Sequence, residues 1–167
     1  LLVGEYLIRK GHRRLAFFGI NQKPDYAIFP ERKRLDGFRQ ALQQAGIGLD
    51  VLGCYEAPYT VEDNYRLALE ILAKPDRPSA VFAATDLQAV GVIKAARQLG
   101  LRIPGDVSVV GFDDLDLAGY LGLTTVSQQL DESGRTAVEL LQDELTNPGR
   151  SIRQIKLPLH LIERETA

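Results

Sequence analysis

The sequence predicts a three-layer α/β/α domain built on a mainly parallel sheet. Three observations carry this. Helical and strand patterns alternate along nearly the whole chain. Residues 15–19, 79–84 and 107–111 are short apolar runs without polar alternation, the pattern of strands covered on both faces. The stretch 78–114 reads as strand, helix, strand, which implies two parallel strands joined by a right-handed crossover.

The first element is an amphipathic helix with Leu2, Val3, Tyr6 and Leu7 apolar and Glu5, Arg9 and Lys10 polar, closed by Gly11. His12-Arg13-Arg14 leads into strand 15–19. Residues 21–30 hold two prolines and no periodicity, a loop at that strand's carboxyl end. Glu31 begins a helix that buries Leu35, Phe38, Ala41, Leu42 and Ala45 and ends at Gly46. A short strand follows at 51–55, then a loop at 56–60. Thr60 with Asp63 is a capping-box pattern, opening a helix that sends Tyr65, Leu69 and Leu72 to the core.

In the central unit, Thr85 and Asp86 offer oxygens to the first free N–H groups of a helix. That helix carries Ala89, Val92, Ile93, Ala96 and Leu99 on one face; Gly100 ends it and Pro104 prevents its renewal. Strand 107–111 runs straight into Phe112-Asp113-Asp114. Residues 115–120 form a short helical turn and 123–126 an extended piece. Asp131 caps a helix with Ala137, Val138, Leu141 and Leu145 inward, stopped by Asn147-Pro148-Gly149. The final segment, 152–162, alternates in part, as an edge strand does. Segment 124–129 leaves the last sheet strand for a helix, and the chain returns only at that final strand. A polypeptide that visits a neighbouring lobe behaves in this way.

A chain of 167 residues with net charge −2 makes one sizeable domain and presents no basic field to recruit nucleic acid or anionic membrane. No apolar run reaches the length needed to span a bilayer. The sequence has no methionine and opens inside a helical pattern, so it reads as a fragment of a longer protein or a processed product. The glycine fingerprints of nucleotide sites, the H-E-x-x-H metal motif and the G-x-S-x-G elbow are absent. The two histidines, His12 and His160, lie near no second metal-type ligand, and no cofactor is implied. His12 reads as a residue satisfying backbone groups at a strand start. Cys54, the single cysteine, has no nearby base and is expected to be a buried, inert thiol. The cluster Arg13-Arg14 and the charges of 31–34 read as solvated faces.

In open parallel sheets ligands bind beyond the carboxyl ends of the strands. Two strands here end in polar groups, Thr85 with Asp86 and Asp113 with Asp114. An ionised Asp113 can accept two hydrogen bonds from a diol, or cap the next turn. Arg34 follows the first strand's loop, where its guanidinium can fork onto a bound hydroxyl or carboxylate, or simply be solvated. Asp86 serves either a ligand or the helix N-terminus. Gln128 lies on the crossing segment. Tyr59, after the second strand, can stack on a sugar ring, with Tyr26 and Phe29 as similar candidates.

Several stretches together resemble the LacI/GalR family of bacterial transcription regulators. They are Gly11-His12-Arg13-Arg14-Leu15-Ala16-Phe17, Arg34-Leu35-Asp36-Gly37-Phe38, Thr85-Asp86, the string from Ile103 to Asp114 (IPGDVSVVGFDD), and Leu123-Thr124-Thr125-Val126 with Gln128. The resemblance implies a periplasmic-binding-protein-like fold. Residues 1–122 and 151–167 would form the C-terminal lobe, and 123–150 the crossing segment and a helix of the N-terminal lobe. It further implies an effector-binding and dimerisation domain, with a small polar metabolite such as a sugar held between lobes by Arg34, Asp113, Thr85, Gln128, Tyr59 and Asp86. Thr85 stands where many relatives place asparagine. The implied protein is a cytoplasmic homodimer and no enzyme, and it contacts operator DNA only through an N-terminal headpiece outside this sequence. Effector binding would rotate the lobes and change operator affinity. A periplasmic sugar-binding protein of a transporter shares the architecture; a nucleotide-dependent enzyme on a Rossmann-like fold is the reading from a different class.

Overall fold

The computed structural model describes residues 1–19, 30–48, 52–58, 60–149, 151 and 153–167. Its centre is β1 (Leu15–Gly19), buried along its whole length. In parallel, β1 pairs with β2 (Leu52–Glu56) on one side and β3 (Ala80–Ala83) on the other, and β4 (Ser108–Val110) adds beyond β3. The order β2-β1-β3-β4 is the doubly wound pattern, with its reversal between β1 and β3.

Such a sheet needs cover on both faces, and successive side chains supply it. Ala16 and Phe18 enter the core shared with α3 (Val61–Leu72) and α4 (Asp86–Gln98). Leu15 and Phe17 enter the opposite core, against α1 (Leu2–Arg9) and α2 (Pro30–Gln44). Helices α3 and α4 approach closely at Gly91, where a β-carbon would lie 2.6 Å from the Val61 carbonyl oxygen and 2.7 Å from Asn64 Cβ. The cap patterns are realised: Thr60 Oγ1 accepts from the Asp63 amide at 3.1 Å and Thr85 Oγ1 from the Gln88 amide at 3.2 Å. His12 Nδ1 lies 3.0 Å from Ser79 Oγ at the amino ends of β1 and β3, and Arg13 and Arg14 are exposed.

Several expectations need correction. Helix α2 buries Phe38, Ala41 and Leu42, but Leu35 is half-buried and Ala45, one residue past the helix end, is exposed. The buried face of α3 is Asn64, Ala68, Ile71 and Leu72, leaving Tyr65 and Leu69 half-buried, because α4 crosses it beside Asn64. Cys54 is exposed, since β2 is an edge strand with one neighbour; Arg39 of α2 reaches its sulfur at 3.8 Å. The terminal strand is only β6 (His160–Ile162), antiparallel to β5 (Thr125–Ser127). Residues 153–159 have no regular structure, and Ile155 and Leu159 are exposed, because alternation without a pairing neighbour does not make a strand. Finally, α6 (Leu130–Thr146) buries none of its residues. Val138, Leu141 and Leu145, predicted to face inward, are 54%, 59% and 75% exposed, and Ala137 is exposed as well. Asp131 is not its cap; Gln129 is, in the left-handed conformation and without a side-chain bond.

The turn α5 (Asp116–Tyr120) and the β5–β6 pair complete the described chain. Single parallel bridges, Val110 to Thr124 and Asp113 to Ser127, lay β5 along the end of β4.

Candidate functional site

The carboxyl ends of β3 and β4 and the first turns of α2 form one rim beside the point where strand order reverses. Arg34 reaches it from α2. Its Nη1 donates to the Ala84 carbonyl oxygen, its Nη2 lies 3.5 Å from Asp113 Oδ1, and its guanidinium carbon sits 3.8 Å from the centroid of the Phe112 ring. A carbonyl, a carboxylate and an aromatic face therefore fix one planar cation in place. Phe112 is itself held in the apolar core beneath, with Phe82 at 6.5 Å.

Asp113 is displayed by an unusual backbone. Its φ is 124° and that of Asp114 is 57°, both in the region that disfavours L side chains. Two ties hold this kink. The Asp113 amide donates to the Val126 carbonyl at 3.0 Å, and Arg164 donates to Asp114 Oδ1 and to the Leu123 carbonyl, each at 2.8 Å. Gln128 Nε2 then donates to Asp113 Oδ1 at 2.7 Å. The segment after β5 and the end of β4 thus meet at one carboxylate.

Burial pushes the Asp113 carboxyl up to about 6. The Arg34 cation opposes the rise, the charges of Asp86 and Glu31 add to it, and the Gln128 hydrogen bond opposes it. Asp86 is fully buried and likewise raised, chiefly by burial. Both of its oxygens are engaged: Oδ1 accepts from Thr125 Oγ1 at 2.6 Å and Oδ2 from the Leu115 amide at 2.8 Å. Gly111 makes room for this carboxylate, because a β-carbon there would strike Asp86 Oδ1.

The rim thus brings together Arg34, Asp113, Gln128 and, through Ala84, the neighbouring Thr85. Thr85 is half-buried, with its hydroxyl donating to Gln88 Oε1 at 3.1 Å. Asp86 lies behind the rim as a strut joining α4, β5 and the start of α5. Tyr59, Tyr26 and Phe29 fall outside the described residues. Two rim residues were missed from sequence. Gln88, fully buried, donates to the Ala57 carbonyl at 2.7 Å and ties α4 to the end of β2. Glu31, 5% exposed, stands one turn before Arg34. Its place among Arg32, Lys33 and Arg34 made it read as solvated; the i, i+3 spacing to Arg34 was the available signal. Among the described residues, no group of acidic, histidine or cysteine side chains is arranged to hold a metal ion.

This is the architecture of a periplasmic-binding-protein-like domain, a mainly parallel sheet with helices on both faces. The model of the periplasmic binding protein-like domain family matches residues 5–167, and the chain belongs to that family. It is homologous to LacI-family regulators. The HTH-type transcriptional repressor PurR of Escherichia coli O139:H28 is 36% identical over 171 residues, which cover 99% of this chain and 48% of the repressor. A LacI family transcriptional regulator from Enterococcus faecium, solved with bound ribose, superposes with a TM-score of 0.88 at 28% identity, over 99% of this chain and 60% of that one. The transcriptional regulator CelR in complex with cellobiose superposes at 0.80 with 31% identity, over 98% and 50% of the two chains. The chain thus spans about half the length of the curated relatives it matches.

Proposed function

We propose that this chain is part of the effector-binding and dimerisation domain of a LacI-type DNA-binding transcriptional regulator. A small polar metabolite, a sugar being the favoured kind, binds between the rim and a second lobe. Residues 1–122 and 151–167 constitute one lobe; 123–150 cross into the other, an assignment supported by the unburied α6. Arg34 and Asp113 grip hydroxyl groups as donor and acceptor, Gln128 and Thr85 line the cleft, and Tyr59 stacks on the ring. Asp86 serves from behind, holding β5 against α4.

The observation that carries this reading is the Asp113–Gln128 hydrogen bond beside Arg34. A ligand that takes over the Asp113 oxygen changes the tie between sheet and crossing segment. Ligand binding shifts a lobe equilibrium only through such a difference between states. The full-length protein acts in the cytoplasm as a homodimer through α3, α4 and α5, where Leu87 is 42% and Tyr120 92% exposed. It contacts operator DNA through an N-terminal headpiece and catalyses no reaction. The transporter reading is disfavoured because these relatives are transcriptional regulators.

Fluorescence anisotropy of full-length protein on operator DNA selected in vitro, titrated with ribose, glucose and cellobiose, tests the switch. At least one sugar should change operator affinity by tenfold or more, and Arg34→Ala should abolish the response while leaving sugar-free DNA binding intact. An operator held equally tightly throughout refutes the proposal.

A further inference from the structure

We infer that Gln88, fully buried behind the rim, fixes the polarity of the Thr85 hydroxyl, so that this part of the rim accepts a hydrogen bond from the effector and donates none. The inference rests on the effector-sensor reading and adds a requirement on the ligand: the group that meets Thr85 must carry a proton.

Each group in this chain of bonds has one possible role. Gln88 Nε2 lies 2.7 Å from the Ala57 carbonyl oxygen and 3.3 Å from that of Pro58. A carbonyl oxygen only accepts, so the amide nitrogen must face this pair, and both its protons are spent there. The amide oxygen then points the other way, 3.1 Å from Thr85 Oγ1. Two oxygens this close need a proton between them, and only the hydroxyl has one. Thr85 Oγ1 also accepts from the Gln88 backbone amide at 3.2 Å, as the cap of α4. With its proton and one lone pair engaged, the hydroxyl keeps a single lone pair. Thr85 is half-buried, and in the cleft position proposed above that lone pair is what a ligand meets.

The far end of the relay is anchored too. The Pro58 carbonyl accepts a second bond from Asn64 Nδ2, which also donates to the Thr60 carbonyl at 2.8 Å, and Asn64 is fully buried. The Ala57 amide donates to the Gly19 carbonyl at 3.1 Å. The carbonyls that orient Gln88 therefore belong to a segment held by β1, α3 and α4. Turning the Gln88 amide over would set oxygen against oxygen at Ala57 and leave buried polar groups unpaired. Thr85 and Gln88 have the spacing of a capping box, but the glutamine reaches across to the end of β2. Gln88 is thus a positioning residue. A hydroxyl or an amine N–H satisfies Thr85, whereas an ether oxygen, a carboxylate or a fluorine sets a second acceptor against it.

Isothermal titration of the full-length protein with ribose, glucose and cellobiose, and with the monodeoxy and monofluoro analogues of each, tests this. The hydroxyl that meets Thr85 is the one whose deletion weakens binding to the parent protein by about fivefold or more, but barely affects binding to Thr85→Val. At that carbon the fluoro sugar should bind less than about twofold tighter than the deoxy sugar, since fluorine cannot donate. In Gln88→Leu the freed Thr85 proton can turn to the ligand, and the fluoro analogue should gain about twofold or more on the deoxy one. A role confined to stability would weaken both alike, so an unchanged ratio in folded Gln88→Leu overturns the part given to Gln88. A fluoro sugar that already holds this advantage in the parent protein overturns the polarity. Neutron diffraction from sugar-free, deuterium-exchanged crystals of the parent decides the same point if Gln88→Leu does not fold. The Thr85 deuteron should point to Gln88 Oε1, and one pointing into the cleft overturns the inference. Sugar binding with no hydroxyl coupled to Thr85 overturns it while leaving the sensor reading standing. No binding by ribose, glucose or cellobiose overturns both together.

Discussion

Asp113→Asn removes a charge that the fold holds at a cost. The folded carboxyl titrates near 6 against an ordinary 3.8, and the rise comes first from burial. At 1.4 kcal/mol per pH unit, keeping it ionised above pH 7 costs about 3 kcal/mol. The Arg34 attraction is already contained in that figure, and only 21% of the side chain is exposed. Asparagine preserves the size and the acceptor oxygen for Gln128. The variant should therefore be more stable than the parent by about 1–3 kcal/mol at pH 8, or roughly 3–9 °C in melting temperature for a chain of this size. The sign fixes the pH course. Below the unfolded value near 3.8 both states bind the proton and the two proteins differ little. Between about 4 and 6 the unfolded chain has lost its proton while the folded chain retains it, so parent stability falls and the advantage of asparagine grows to its full value above 7. Urea unfolding of both proteins at pH 5, 6, 7 and 8 measures this. An asparagine variant no more stable at pH 8, or one whose advantage is independent of pH, refutes the reasoning. The same substitution should abolish sugar binding, so stability and function part at this position.

Gly111→Ala should cost about 2–4 kcal/mol, because the added methyl strikes Asp86 Oδ1 and displaces it from Thr125 Oγ1. Urea unfolding should show the loss, and Asp86→Asn introduced together with it should cost less than the two losses summed. Changing Val138, Leu141 and Leu145 together to serine should alter the stability of this chain by less than about 1 kcal/mol, since all three are more than half exposed. In the full-length protein the same triple change should cost several kcal/mol if a second lobe covers α6. Equal effects in the two proteins would contradict that placement.

Much of the sheet was legible because its cause is local. Residues 15–19, 79–84 and 107–111 lack polar alternation since every side chain on a doubly covered strand meets a helix, and β1, β3 and β4 bear this out. Thr60 and Thr85 were legible as caps because a cap bond spans three residues. Where local pattern misled, a neighbour decided the outcome. The apolar stripe of α6 was correctly seen as a stripe, but burial requires a second surface, and the described chain brings none to it. Cys54 has the sequence neighbours of a core residue and lies on an edge strand.

For the rim, sequence alone determined which residue types end the strands: Thr85 and Asp86 after β3, Asp113 and Asp114 after β4. It also placed Arg34 in the helix after β1. Tertiary structure decided their relations. Only the parallel register sets Ala84 beside the Arg34 guanidinium, only the positive φ of Asp113 turns its carboxylate towards Gln128, and only packing hides Asp86 and Glu31. The physical reason is that charge and burial act through space. A carboxylate's cost depends on what surrounds it, and residues separated by 79 positions in the chain, such as Arg34 and Asp113, become neighbours only once the sheet has formed.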